Sequence, residues 1–236
     1  HVMAGAAIHA DDTPVNVLAP GTGKTKTGRL WVYLRDERDW AGDPHPGAFY
    51  KFTPDRRGHW PRDHLKNFSG WLHADGYAGF EELYRRGDIE EVACLAHIRR
   101  KFFDIHVAQG SGIAKEALER IAALYQIETL IRGRPPDERK SARQQRAAPL
   151  IDDLEAWLHG QLTQISGKSA LAAAIRYGLT RLKRLRPYLD NGRLSIDNNA
   201  AERGMRSIAI GRKNSHDRLS SSERAASFSQ TEAHVI

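Results

Sequence analysis

A mixed α/β sheet interrupted by a large all-helical insertion is the fold class this sequence predicts. Three observations carry that expectation. Short apolar and β-branched runs, separated by Gly, Pro and Asp, fill the first hundred residues. Apolar positions then recur at helical spacing from about Ile98 to Leu189, and a polar segment rich in amides and cations follows. Strands with helices between them suit a sheet with antiparallel and parallel parts, and a helical block before one last functional helix reads as an insertion.

In chain order, Ala6–Ala10 reads as a short buried strand entering Asp11-Asp12-Thr13-Pro14, so that two carboxylates stand at a strand end. Both repel and both need solvation, which serves structure poorly and suits a cleft for divalent cations. Pro14 to Gly28, rich in Gly, Pro, Thr and Lys, reads as a loop. Its Gly21-Thr22-Gly23-Lys24-Thr25 fails as a phosphate loop, because position 18 is Leu where the first Gly belongs. Arg29–Arg35 and Ala48–Phe52 are the second and third strands, with a hairpin-like connection through Trp40–Gly47. Pro61–Phe68 reads as a short helix and Gly70–Tyr77 as a strand stopping on Asp75, where Gly76 permits a turn. Phe80–Arg86 makes a helix and Glu91–Ala96 another strand. Helical spacing then runs through Ala114–Tyr125, Leu150–Leu158 and Leu171–Leu182, and Gly133-Arg134-Pro135-Pro136 breaks two of these helices.

The composition, 40% hydrophobic and 28% charged over 236 residues, describes a soluble chain long enough for a real core. No apolar run approaches the roughly 18 residues that span a bilayer, and no secretory leader opens the chain, so no membrane is expected. The single cysteine excludes an internal disulfide framework and fits a reducing cytoplasm. A formal net charge of +7 favours a polyanionic partner. That excess is localised: ten Lys or Arg against three acids lie between Arg176 and Asn214.

The segment Ser195–Asn214, S-I-D-N-N-A-A-E-R-G-M-R-S-I-A-I-G-R-K-N, holds one more carboxylate among amides and cations. On a helix Asn198, Asn199, Glu202 and Arg206 would share one face, with Ser195 or Asp197 as the cap. Taken alone, this is also an ordinary surface helix with a Glu–Arg pair. Two metal ions about 3.5–4 Å apart need carboxylate oxygens converging from separate elements. Asp11, Asp75 and Glu202 offer two strand ends and a helix face for that purpose. Cys94 and His97 make half a zinc signature without a second Cys, and read as a buried thiol and a structural or phosphate-facing imidazole. Trp31, Trp71 and Trp157 read as packing residues rather than base-stacking platforms.

Five motifs then carry a resemblance. His9-Ala10-Asp11-Asp12-Thr13-Pro14-Val15, Arg29-Leu30-Trp31-Val32-Tyr33, Asp75-Gly76-Tyr77, the run from Cys94 to Phe102, and Ile196-Asp197-Asn198-Asn199-Ala200-Ala201-Glu202-Arg203 through Gly211-Arg212-Lys213-Asn214 stand in order. Together they closely resemble the DDE transposases of the insertion sequence 66 family. The resemblance implies an RNase H-like catalytic domain in which Asp11, Asp75 and Glu202 form an acid triad holding two divalent ions, Mg2+ or Mn2+. It implies DNA hydrolysis at element ends and attack of the freed 3′-hydroxyl on target DNA. Arg203, Arg206, Arg212, Lys213, Arg99, Arg100 and Lys101 would contact phosphates, a role that charge alone allows. Asp12, Cys94, His97, Asn198 and Asn199 would support the site, and Asp12 stands where the family usually has Glu. Implied partners are the DNA of element ends and target, a second copy of the chain, and accessory proteins of the same element, in a bacterial, nucleoid-associated setting.

The expected division is residues 1–103 as the first part of the catalytic domain, 104–190 as the helical insertion, 191–214 as the catalytic helix, and 215–236 as a divergent tail. Two departures from the family supply the alternative. The chain opens almost at the first catalytic strand, without the DNA- and zinc-binding region that normally precedes it, and Ser215–Ser222 is polar where the family is aromatic and Gly-rich. A truncated remnant that binds DNA without cutting it is that alternative.

Overall fold

The structure, a computed structural model, describes residues 1–206 apart from 20, 22 and 23. Three strands open it: β1 (Ala7–Ala19), β2 (Lys24–Arg35) and β3 (Gly47–Thr53). The short helix α1 (His59–His64), strand β4 (Gly70–Ala74), short helix α2 (Glu81–Arg86) and strand β5 (Ile89–Ala93) follow. The chain then turns helical through α3 (Leu95–Gln109), α4 (Gly112–Ile131), α5 (Pro136–Ala142), a π-helical turn (Arg143–Ala147), α6 (Ala148–Leu162), α7 (Ala170–Leu185) and α8 (Pro187–Asp190). A further helix, α9, covers 199–206.

The strands make one sheet in the order β3-β2-β1-β4-β5. β1, β2 and β3 pair antiparallel, while β1 with β4 and β4 with β5 are parallel. Short connections make the antiparallel neighbours, and the parallel ones need crossovers, here carrying α1 and α2. The fold is therefore mixed α/β, as the sequence predicts.

Alternation along β1 assigns the two faces. Ile8 and Ala10, with Trp31, Tyr33, Leu72 and Ala74, are buried against Leu65, Phe68, Phe80 and Leu83 on the side of α1 and α2. On the other side Val32 meets Ala201 and Met205 of α9. Val92 and Ala93 of β5 join a buried cluster that runs through α3, α4, α6 and α7 to Ile196. Ser111 and Ser169 cap α4 and α7, their hydroxyls accepting the N–H groups of Ala114 and Ala172. Trp31, Trp71 and Trp157 pack as expected. Trp31 is fully buried and donates to Thr53 Oγ1 at 2.8 Å, Trp71 and Trp157 pack against the helical cluster, and Arg120 lies 4.7 Å from the Trp157 ring centroid.

Several boundaries differ from expectation. Residues 14–19 and 24–28 are not a loop: they continue β1 and β2 as a ribbon paired from Pro14 with Arg29 to Ala19 with Lys24. Thr and Val alternate there well enough to satisfy both backbones by cross-strand hydrogen bonds, which the count of Gly and Pro hides. Asp11 and Asp12 consequently sit within a strand and not at its end. β4 stops at Ala74, leaving Asp75 just beyond it, and β5 stops at Ala93, because Leu95 N–H bonds to Ile196 O as α3 begins. The tail 215–236, with Arg212 and Lys213, lies outside the described residues.

Candidate active site

Asp11 faces Val32 across the β1–β2 pair, on the side of the sheet that carries α9. Its Oδ1 accepts the Asp12 N–H at 2.8 Å. Burial pushes its carboxyl up to about 7; that backbone hydrogen bond opposes the rise, and the charges of Asp75, Asp12 and Glu202 add to it. Asp75 and Glu202, both distant in sequence, thus act on Asp11 in space.

Asp75 is held by the turn after β4. Its Oδ1 accepts the Tyr77 N–H at 2.9 Å. Gly76 between them has φ 87°, and a Cβ there would meet the Arg181 guanidinium carbon at 2.8 Å, so glycine is required twice over. Arg56 reaches in from the other side, with Nη2 3.6 Å from Asp75 Oδ2 and 2.8 Å from Asp12 Oδ1. Arg29 Nη1 holds the other Asp12 oxygen at 3.2 Å. Strand alternation turns Asp12 away from the Asp11 face, so two arginines, not a metal cleft, take up its charge.

Glu202 comes from α9, whose position is set by the connector before it. Two arginines buried at 2% and 0% exposure, Arg139 and Arg143, collect its carbonyls. Arg139 Nε donates to Gly192 O at 2.8 Å, and Arg143 donates to Tyr188 O at 2.9 Å and Leu194 O at 2.9 Å. Glu128 of α4 balances them, 2.7 Å from Arg143 and 3.4 Å from Arg139. Burial lowers Arg139 to about 10, which leaves it charged at neutral pH. Further on, Asn198 N–H donates to Cys94 Sγ at 3.2 Å, and Asn198 Nδ2 donates to Ala10 O at 2.8 Å. Its Oδ1 lies 3.0 Å from His9 Nδ1. His9 stacks on His73 with ring centroids 4.4 Å apart; burial lowers His9 to about 4 and His73 well below the usual range, so both are neutral at pH 7. Asp197 accepts the Asn199 N–H at 3.0 Å and a hydrogen bond from Tyr125.

Asn198 therefore does not share the Glu202 face. It occupies the position before α9, where its carbonyl takes the N–H groups of Ala201 and Glu202, and its amide is spent on β1. Asn199, Glu202 and Arg206 do share a face. They line a cleft of about 690 Å3 with His97, Arg99 and Arg100 of α3 and Tyr125 of α4. Arg203 lines an adjoining smaller cavity of about 150 Å3, which shares Tyr125, Thr129 and Asn199 with the cleft. Lys101 is exposed, its Nζ 5.7 Å from the Tyr177 ring centroid. Cys94 is buried and burial pushes its thiol up to about 12, as a structural thiol requires.

Part of the basic stretch is neutralised locally. Arg181 and Arg184 both pair with Glu91, and Arg186 pairs with Asp152 and Glu155 at 2.6 Å. The cations facing solvent near Glu202 are instead Arg99, Arg100, Arg203 and Arg206.

The transposase IS66 family model matches residues 1–227. The chain belongs to the IS66 transposase family. Three uncharacterized proteins of Sinorhizobium fredii (strain NBRC 101917 / NGR234) are similar to this IS66-family chain. y4qI is 37% identical over 221 residues and y4hP 37% over 230, each match covering 91% of the chain and 41% of the relative. y4jD is 39% identical over 214 residues, covering 88% of the chain and 42% of the relative. The chain thus spans about two fifths of the length of these relatives. No solved structure matches it.

The donor chemistry of the cluster fits a hard divalent cation: carboxylate oxygens, one of them held protonation-prone by burial and by neighbouring acids. Among the described residues, no three His, Cys, Asp or Glu side chains stand in a metal-holding arrangement as they are. Sequence reasoning missed Arg56, which bridges Asp12 and Asp75, and the Glu128–Arg139–Arg143 hub. Arg56 lies in a loop with no pattern, and the two buried arginines fall in a helical stretch given no functional reading from the sequence. The only signal was their spacing of four with the neighbouring apolar Ala147.

Proposed function

We propose that this chain carries the catalytic centre of a transposase that cuts DNA at insertion-sequence ends and joins it to target DNA. The observation that carries the reading is that the charges of Asp75 and Glu202, from distant parts of an IS66-family chain, act on the buried Asp11 carboxyl of β1. Asp11, Asp75 and Glu202 would hold the metal, Mg2+ or Mn2+. When bound, two such ions would activate the attacking oxygen and stabilise the leaving one in an in-line displacement. In the first step water adds to a phosphorus and the bond to the 3′-oxygen breaks, leaving a 3′-hydroxyl. In the second that hydroxyl attacks a target phosphodiester, forming a new P–O bond and releasing the target 3′-oxygen.

The cleft beside Glu202 supports this reading, because it sets Arg99, Arg100 and Arg206 where a phosphate backbone would pass. Lys101, Arg203, Arg212 and Lys213 would extend that contact. The strand order, an antiparallel trio continued by two parallel strands, supports an RNase H-like domain with residues 104–190 inserted. Action as a homo-oligomer on paired ends, with accessory proteins, near the nucleoid, belongs to the same proposal. No described helix is long and apolar enough to cross a membrane.

The test incubates the chain with Mg2+ or Mn2+ and labelled DNA ends, beside Asp75→Asn and Glu202→Gln. Metal-dependent nicking reduced at least 100-fold by both substitutions is the expected result. DNA binding without cleavage, equal in all three proteins, would sink the catalytic reading in favour of a remnant that binds only.

A further inference from the structure

The ribbon that continues β1 and β2 past the rest of the sheet has no place in the scheme above. Pairing of β4 with β1 ends at His9, and pairing of β3 with β2 ends at Arg29. From there Val15–Ala19 and Lys24–Gly28 form a ladder with no third strand beside it. A two-stranded ribbon is marginal in water by itself. This one is largely exposed: Leu18 is 66% exposed, and Lys24, Thr25, Lys26 and Thr27 all face solvent. No Asp or Glu occurs from Thr13 to Arg35, in a stretch that carries Lys24, Lys26, Arg29 and Arg35.

The ribbon is tied to the acid cluster at its base. Arg29, the last residue with a third strand beside it, holds Asp12, and Asp12 holds Arg56 beside Asp75. Gly28 lets Phe52 close over the root, since a Cβ there would meet the ring at 2.5 Å. Register then sets direction. Residues directly opposite in an antiparallel pair lie on one face, and alternate residues along a strand return to it. Lys26 opposite Val17, and Lys24 opposite Ala19, therefore share the face of Asp11 opposite Val32. At about 3.3 Å per residue, Val17 and Ala19 lie roughly 20 and 26 Å from Asp11 along the strand. That equals about six to eight base pairs of duplex at 3.4 Å each.

We infer that this ribbon is a DNA-contacting arm, laying Lys24 and Lys26 on duplex phosphates about six to eight base pairs from the phosphodiester at the acid cluster. The inference rests on the proposed function. A polyanion is the partner that an acid-free, lysine-bearing ribbon on the active face complements, and a two-stranded ribbon is of a size that enters the major groove.

The experiment measures binding of labelled duplexes ending 4 or 14 base pairs from the reactive phosphate, across a salt series, for the parent chain, Lys24→Ala/Lys26→Ala and Lys24→Arg/Lys26→Arg. On the long duplex the alanine variant is expected to lower the slope of log K against log salt by about 2. The arginine variant retains the slope, and on the short duplex all three slopes coincide. Circular dichroism of each protein checks that the fold is kept. Equal slopes for parent and alanine variant on the long duplex overturn the arm and leave the lysines as protectors of an exposed strand edge. Equal slopes together with a change in mass without DNA overturn it in favour of a second copy of the chain pairing on the ribbon. A parent chain that neither binds nor nicks DNA overturns the proposed function and the arm together, which separates that failure from the loss of the arm alone.

Discussion

Single residues here are governed by what burial does to charge. His64, the last residue of α1, lies 2.9 Å from the Tyr33 hydroxyl through Nδ1 and packs edge-on against Tyr33 and Trp31 of β2. Burial lowers it to about 4; Lys51 adds to the fall and Asp63 opposes it. Unfolded, it titrates at its ordinary value near 6.5. Between those values the unfolded chain binds more protons, so stability rises with pH from about 4 to about 6.5 and is lost on acidification through that window. The ring is only partly buried, and solvent screening trims the effect to about 1–2 kcal/mol. Urea unfolding at pH 4.5 and 7 should therefore show a pH difference smaller by about 1 kcal/mol in His64→Gln than in the parent; parallel curves would disprove the assignment. Asp11, raised to about 7, acts in the opposite direction, since its native carboxyl keeps a proton that the unfolded chain releases, but it does so equally in both proteins.

At the level of elements, α9 is positioned by parts that are far away in sequence. The Glu128–Arg139–Arg143 hub holds the carbonyls of Tyr188, Gly192 and Leu194, and Asn198 fastens the start of α9 to β1. Arg143→Met would leave those carbonyls and part of the Glu128 charge buried without partners, a loss of about 3–5 kcal/mol. Arg143→Lys keeps the charge but not the planar fork that reaches Glu128 and three carbonyls at once. In that variant the amides of 199–206 should exchange with deuterium at least tenfold faster, while those of β1 at Ile8 and Ala10 stay as protected as in the parent. Equal acceleration in both would mean that the hub serves global stability and does not place α9.

Across the whole molecule, one buried cluster links β5 to α3, α4, α6, α7 and Ile196, so the helical part shares a core with the β5 side of the sheet, next to the cluster under α1 and α2. Shared cores unfold together. In urea, tryptophan fluorescence, which samples Trp31 and Trp71 in the sheet, Trp157 in α6, and Trp40 and Trp60, should follow the same transition as helical circular dichroism. Two separated transitions would show instead that the helical block is an autonomous unit. The same packing explains why much of the fold was legible: strands and helices are written in local apolar spacing, and the order of the five motifs brought the IS66 family into view. The 14–28 ribbon was misread because cross-strand pairing belongs to two segments jointly, and composition sees each alone. The Asn198 face was misread because helical spacing says nothing of where a helix starts.

By itself the sequence determined most element types and the family, and it singled out Asp11, Asp75 and Glu202 as candidates, since apolar period, motif order and residue type are properties of the chain read along its length. Tertiary structure alone decided which acid keeps company with which charge. It turned Asp12 to Arg29 and Arg56, left Asp11 among carboxylates, spent Arg181, Arg184 and Arg186 on local acids, and set α9 in place through two buried arginines. The physical reason is that electrostatics acts through space and depends on burial, and neither separation nor burial can be counted in residues.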